Sequence, residues 1–169
     1  GVVTGHTLDD QAETVLLHAA RGAGLRGISG MEFNSVLKIP TADIKLKVLR
    51  PMLDTPRSKC IEFCQQSGIK PVIDESNASS DYTRNRLRLD VLPHLNNVIP
   101  EASQSLARLA KNSTDDLNII EWVVEQFLTK PRIDKHRYSR SDLEKLPNSL
   151  VGRMLMRAYE LHVGHALNL

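Results

Sequence analysis

The sequence predicts an α/β fold: a partial parallel sheet in residues 1–95, followed by a smaller all-α domain over residues 96–169. Three observations predict it. Strand-like and helix-like stretches alternate from Gly1 to Ile73 in the order strand, helix, two strands, helix, strand, the pattern of a parallel sheet covered by helices. Beyond Asn96-Asn97-Val98-Ile99-Pro100 no strand pattern recurs. The composition is globular, with 169 residues, 41% hydrophobic and 25% charged, enough for one domain or for one domain and part of another.

Each element has a local reason. Gly1-Val2-Val3-Thr4-Gly5 reads as the end of a buried strand entering a turn. Leu8 to Arg21 has helical character: Ala12, Val15, Leu16 and Ala19 repeat on one face, and Asp9, Asp10 and Glu13 crowd the positive end of the helix dipole. Gly22, Gly24, Gly27 and Gly30 end it in a flexible loop. Val36-Leu37-Lys38-Ile39 and Leu46-Lys47-Val48-Leu49 read as strands closed by Pro40 and by Arg50-Pro51. Thr55 as N-cap and Pro56 at the first helical position start a second helix that Gly68 caps. Pro71-Val72-Ile73 reads as a short strand, followed by a polar loop from Asp74 to Ser80.

In the second half, Leu106, Leu109, Leu117, Ile120, Val124, Phe127 and Leu128 mark a long amphipathic helix. A basic loop spans Lys130 to Arg140, Ser139 or Ser141 caps a short helix around residues 142–146, and a last helix runs from about Ser149 to His162. No apolar run is long enough for a transmembrane helix, and two cysteines cannot make a disulfide framework. Net charge is +2, from 22 basic and 20 acidic residues, so the placement of charge matters more than its sum. Aromatic content of 4% argues against a multi-aromatic base-stacking platform. The chain does not begin with Met, and the expectation is a fragment whose amino-terminal part is missing, or one from which a leader of a few residues was trimmed.

Two segments can carry chemistry. In Thr4-Gly5-His6-Thr7-Leu8-Asp9-Asp10-Gln11-Ala12-Glu13-Thr14 a strand end, a turn and an acidic helix start coincide, and the carboxyl edge of a parallel strand is where α/β proteins place ligands. Asp9 and Asp10 can hold Mg²⁺ against a polyphosphate, but they also simply suit a helix N-terminus, at about 0.3–1 kcal/mol each. Spacing alone favours the second role, and His6 alone reads as a turn or cap residue. In Tyr82-Thr83-Arg84-Asn85-Arg86-Leu87-Arg88, helical spacing puts Arg84 and Arg88 on one face. Two guanidiniums there suit a phosphate, or equally a helix end salt-bridged by Asp81 and Asp90.

Other candidates carry less. Cys60 and Cys64 are four apart between Ile61 and Phe63, which fits buried thiols better than metal or redox chemistry. No Walker-type loop and no serine-nucleophile motif occurs, and His162 and His165 lack companions. Lys130, Arg132, Lys135, Arg137 and Arg140, against Asp134 alone, form a basic cluster that is either solvated or meets a phosphate backbone.

Taken together, His6-Thr7-Leu8-Asp9-Asp10-Gln11-Ala12-Glu13-Thr14, then Arg21 to Met31, Leu49-Arg50-Pro51-Met52-Leu53, Asp74-Glu75-Ser76-Asn77 and Arg84-Asn85-Arg86-Leu87-Arg88 resemble, in order, the motifs of the tRNA(Ile)-lysidine synthases. The first element is similar to that of N-type ATP pyrophosphatases (PP-loop proteins) in general; the later ones narrow it. The resemblance covers residues 1 to about 95 closely and the remainder by position and character. It implies an adenine-nucleotide alpha-hydrolase-like domain at 1–95 and a helical tRNA-binding domain at 96–169, in a cytoplasmic enzyme. It implies a ligase that uses ATP and Mg²⁺ to adenylate C2 of the wobble cytidine of a tRNA(Ile) with a CAU anticodon, after which the amine of free lysine displaces AMP.

By the same resemblance Asp9 and Asp10 serve Mg²⁺, ATP or the lysine amine, and His6, Asp10 and Arg21 line the nucleotide pocket, with the segment from Arg21 to Arg26 shaping the substrate entrance. Arg84 and Arg88 stabilise phosphate charge or hold tRNA, and Arg132, Lys135 and Arg137 touch it. The family's Ser-Gly-Gly-x-Asp-Ser phosphate loop does not occur in this sequence, so this chain alone is expected neither to bind ATP well nor to turn over. The alternatives are a tRNA-thiolating ATP pyrophosphatase, which Cys60 and Cys64 fit poorly, and a non-catalytic tRNA-binding module. An unpaired parallel strand edge would invite self-association, a homodimer being its simplest form.

Overall fold

The computed structural model describes residues 1–39, 44–72, 83–128 and 137–163. Its elements run β1 (Val2–Val3), α1 (Leu8–Ala20), α2 (Leu25–Ile28), β2 (Asn34–Ile39), β3 (Ile44–Leu49), α3 (Arg57–Gln66), α4 (Thr83–Arg86), a π-helical turn (Leu87–Val91), α5 (Leu92–Val98), α6 (Ala102–Leu128), α7 (Arg140–Leu143) and α8 (Asn148–Val163). They fall into two compact units, residues 1–114 and 115–169. The division lies inside α6, later than the boundary near residue 96 read from the sequence. The first turn of α6 is tied to α5: the Asn96 side chain donates to Ser103 Oγ at 2.9 Å and accepts the Ser103 N–H at 3.1 Å.

In the first unit the sheet is mixed rather than parallel throughout. Strand order is β1-β3-β2, with β1 parallel to β3 and β2 antiparallel to it. Connection length decides this. Residues 40–43 alone separate β2 from β3, which suffices for a hairpin, whereas a parallel pair needs a crossover of a dozen residues or more. The β1-to-β3 connection contains α1 and meets that requirement. Pro71 and Val72 join no strand, and Ile73 lies outside the described residues.

Helix α1 buries the face its periodicity predicts only in part. Ala12 and Val15 are fully buried, Leu16 is half-buried, and Ala19 is exposed. Burial of a valine such as Val15 contributes roughly 1.5–3 kcal/mol. The glycine-rich segment after α1 is not wholly loop, because residues 25–28 form the single turn α2. It is tied back to α1 by hydrogen bonds between His18 Nδ1 and the Gly27 carbonyl (2.7 Å) and between Gln11 and the Met31 backbone.

Helix α3 begins one residue later than expected. Pro56 is its N-cap rather than its first helical residue, and Thr55 contributes its backbone instead of a capping side chain. Its C-terminus is as the sequence predicts: Gly68 has φ +67°, with Gly68 N–H bonded to Gln65 O (3.2 Å) and Ile69 N–H to Cys64 O (2.8 Å), a Schellman motif. Cys60 and Cys64 are free thiols and half-buried.

Residues 83–98 are helical throughout, widened by the π turn at 87–91, where the Leu92 N–H reaches the Leu87 carbonyl. Pro93 explains the widening: it has no N–H to return to the preceding turn, and its ring crowds the carbonyl four residues back.

In the second unit Val124, Leu128 and Met154 form a core that Ile120, Phe127, Tyr138, Leu143, Leu146, Leu150 and Ala158 enclose. Ser139 sits at the N-cap of α7, as expected. Leu109, in the half of α6 that belongs to the first unit, departs from the expected buried stripe and is exposed. Among the described residues no helix is long and apolar enough to cross a membrane.

Candidate functional site

The site forms where β1 ends and the N-termini of α1 and α3 meet. Those two helix starts satisfy each other's orphan N–H groups. Leu8 N–H donates to the Thr55 carbonyl at 3.0 Å, and Arg57 N–H donates to Asp9 Oδ2 at 2.7 Å. Asp9 is thus an N-terminal cap for α3, delivered from another helix.

Asp10 turns the other way. Its Oδ2 accepts the Thr7 backbone N–H and the Thr7 hydroxyl, both at 2.8 Å, so it closes the start of its own helix as the third residue of a capping box does. Its Oδ1 accepts Arg88 Nη2 at 2.8 Å and Arg57 Nη2 at 3.2 Å. Burial works against the charge on Asp10, but the Thr7 donors, Arg57 and Arg88 outweigh it and hold the carboxyl below its usual range.

Glu13, one turn along α1, is completely buried. Arg88 grips it with two donors, Nε to Oε1 at 2.6 Å and Nη2 to Oε2 at 3.0 Å, and Arg84 Nε adds a third at 3.2 Å. The Glu13 hydrogen bond is the main reason the Arg88 pKa rises above its ordinary value. Arg84 Nη2 also donates to Thr14 Oγ1 at 2.9 Å. Three guanidiniums therefore converge on two carboxylates, a set whose charges and hydrogen bonds balance only if all of it assembles.

His6 stands at the edge of this cluster, with Nδ1 2.8 Å from Thr4 Oγ1. Burial lowers its pKa, opposed by Asp10 and reinforced by Arg50 and Arg84, so the ring is held neutral more firmly than a free imidazole. Arg50 anchors the start of β2 by donating Nη1 to the Glu32 carbonyl (2.9 Å) and to Ser35 Oγ (2.8 Å), while its Nε is buried without a partner.

Of the residues singled out from sequence, the structure brings together His6, Asp10, Arg84 and Arg88, and sets Asp9 beside them facing α3. Among the described residues the ionic partners of Arg84 and Arg88 are Glu13 and Asp10 on α1 rather than Asp90, and Asp81 lies outside the described residues. Arg21 caps the far end of α1, about 17 Å along the helix from the cluster. Asp74, Glu75, Ser76, Asn77, Arg132 and Lys135 lie outside the described residues. Arg137 is exposed just before α7, in the second compact unit.

The sequence alone does not reveal the burial of Glu13, the place of Arg57, or the role of Gln11. One signal for Glu13 exists: residues 10, 13 and 14 share a helix face, as Arg84 and Arg88 do, and the charges are opposite.

The expectation that Asp9 and Asp10 share Mg²⁺ fits in part. Every Asp10 oxygen already accepts protein donors, whereas Asp9 Oδ2 takes one N–H and leaves Oδ1 available. Among the described residues no three His, Cys, Asp or Glu side chains gather as a metal cluster. Asp9 therefore suits a cation that brings most of its own oxygen ligands, as Mg²⁺ does.

The buried carboxylate–guanidinium cluster stands at the carboxyl end of a strand with a parallel neighbour, the edge at which α/β proteins place ligands. Residues 1–95 match the PP-loop domain, and the chain belongs to that family. It is similar over nearly its whole length to proteins named tRNA(Ile)-lysidine synthase. The one from Dehalococcoides mccartyi is 32% identical over 167 residues, covering 96% of this chain and 35% of the relative. That from Novosphingobium aromaticivorans is 34% identical over 164 residues (96% of this chain, 48% of the relative), and that from Gloeobacter violaceus is 31% identical over 168 residues (99% and 50%). The chain spans about a third to a half of the length of these relatives.

Proposed function

We propose that this chain carries part of the catalytic machinery of a cytoplasmic tRNA(Ile)-lysidine synthase. That enzyme joins free lysine to C2 of the wobble cytidine in a tRNA(Ile) bearing a CAU anticodon, by way of an adenylated tRNA, at the expense of ATP. The observation that carries this is the cluster of Asp10, Glu13, Arg84 and Arg88 at the β1 edge, in a chain whose relatives bear that name. Adenylation needs positive charge around a leaving polyphosphate, and Arg84, 44% exposed at its side chain, can turn toward one without unfolding anything. Amine attack on the activated C2 also needs a carboxylate near an ammonium group, which Asp10 would supply by exchanging its 3.2 Å Arg57 donor for the amine. Mg²⁺ would be held through Asp9 and would offset phosphate charge. Residues 1–95 act as the ATP-dependent part, and residues 96–169 as an all-α tRNA-binding domain, with Arg137, Arg132 and Lys135 toward RNA.

The test is incorporation of radiolabelled lysine into a tRNA(Ile) transcript with a CAU anticodon, given ATP and Mg²⁺, by the protein as it occurs in the cell. Lysine incorporation with AMP and pyrophosphate release is the expected result. Sulfur incorporation instead would mark a thiolating pyrophosphatase, and tRNA retention with neither would mark a binding module.

A further inference from the structure

The β2–β3 hairpin presents a face that the cluster described above does not use. The antiparallel register sets Asn34 opposite Leu49 and Val36 opposite Lys47, with Lys45 two positions before Lys47, and strand alternation places these five on one side of the sheet. Val36, Lys45, Lys47 and Leu49 are exposed. Among the described residues neither Lys45 nor Lys47 has a carboxylate partner, and Asn34, Val36 and Leu49 beside them on this face are uncharged. Several exposed cations elsewhere are paired: Lys59 with Glu62, Arg140 with Glu144, Lys145 with Asp142, Arg157 with Glu125. In a chain of net charge +2, an unopposed basic ribbon is a matter of placement rather than of bulk composition.

We propose that this ribbon face, centred on Lys45 and Lys47, binds the phosphate backbone of the RNA substrate. The proposal rests on the tRNA reading above and names a contact surface within it. Like charges on neighbouring positions of one sheet face repel, and a polyanion lying along the ribbon relieves that repulsion. Lys45 and Lys47 are two residues apart, about 7 Å along the strand, too far to close on one small anion and well placed for successive phosphates. The face carries no aromatic side chain, so it grips backbone rather than reading bases, and its contribution is independent of sequence.

The experiment is a titration of fluorescent tRNA(Ile), and of an unrelated RNA hairpin, with the wild-type chain and with the double variant Lys45→Gln/Lys47→Gln, at several salt concentrations. Both lysines are exposed, so the variant is expected to keep the wild-type circular dichroism. Losing two phosphate contacts should lower the salt slope by about 1.4–1.8, so that the wild-type advantage shrinks about seven- to twelvefold between about 50 and 200 mM salt. Lys45→Arg/Lys47→Arg should restore the slope, and Lys59→Gln, at a lysine already paired on α3, should leave it unchanged. Wild-type binding of tRNA with an unchanged slope in the double variant overturns the ribbon contact and leaves the tRNA reading standing. Equal binding of both RNAs with the slope reduced supports the ribbon contact and counts against a tRNA-specific substrate. Wild-type binding of neither RNA overturns both.

Discussion

Arg88 holds Glu13 along one edge of its guanidinium, with Nε 2.6 Å from Oε1 and Nη2 3.0 Å from Oε2, while the same Nη2 reaches Asp10 Oδ1 at 2.8 Å. The two residues are 75 positions apart, and their pairing fixes the π turn against α1. Glu13 is fully buried and Arg88 only 21% exposed, whereas Arg84, the second arginine on Glu13, is 44% exposed. Removing one partner of a buried pair strands the other's charge, but removing a half-exposed partner lets water take its place. Arg88→Ala is therefore expected to cost about 3 kcal/mol and Arg84→Ala no more than about 1 kcal/mol, read from urea unfolding midpoints. Equal losses would show that Glu13 is not held chiefly by Arg88.

Acidification should destabilise the fold in two stages. Burial lowers the pKa of His6 below 6.5, so as pH falls through 6.5 the unfolded chain takes up a proton that folded His6 resists. The unfolded state then binds more protons, and stability falls with pH. The Asp10 carboxyl also titrates below its usual value of 3.8, so the stability it contributes is complete above that pH and lost as pH drops through the folded value. Unfolding midpoints measured from pH 7 to 3 should decline first near pH 6 and again below pH 4. His6→Gln should remove the first decline alone. A midpoint that rises between pH 7 and 6 would contradict the sign.

How much of this was legible depends on the range of the forces involved. Helix α1, the Schellman turn at Gly68 and the Ser139 cap are local, and their signals lie within a few residues of the structure they produce. From the sequence Glu13 reads as an acid near the start of α1, because its partners, Arg84 and Arg88, are more than 70 residues away. The β2–β3 pairing is also local: the four residues between these strands forbid a parallel crossover, so their antiparallel pairing lies in the sequence spacing, against the expectation of a parallel sheet. Thr7 three residues earlier marks Asp10 as the capping-box acid, but only tertiary contacts bring Arg57 and Arg88 to Asp10 and turn Asp9 toward α3.

Two glycines with left-handed backbones should respond differently to alanine. Gly30 has φ +66°, and an added Cβ would lie 2.8 Å from Gln11 Oε1. That oxygen accepts the Met31 N–H, and the same amide donates to the Met31 carbonyl, so the intruding methyl displaces both bonds. Gly30→Ala is expected to cost about 3 kcal/mol, from the backbone strain and two lost hydrogen bonds. Gly68 has φ +67° with open space around it, so Gly68→Ala should cost only about 1 kcal/mol of strain. Thermal melts of the two variants, side by side, decide the matter; Gly30→Ala melting no lower than Gly68→Ala would mean that Gln11 yields freely.

Asp9 has two separable duties, and one substitution divides them. Its Oδ2 caps α3 through the Arg57 N–H at 2.7 Å, and its Oδ1 is the carboxylate oxygen of the pair still available to a cation. Asparagine keeps a capping oxygen but loses the charge; alanine loses both. Asp9→Asn should therefore retain stability within about 0.5 kcal/mol, while Asp9→Ala should lose about 1 kcal/mol, the ordinary worth of an N-cap. If Asp9 also serves Mg²⁺, Mg²⁺ should raise the melting temperature of the wild type and leave both variants unmoved, because binding to the native state alone is what stabilises it. A Mg²⁺-dependent rise that survives in Asp9→Asn would place the ion elsewhere. Equal stability of Asp9→Ala and wild type would show instead that α3 does not depend on a cap from α1.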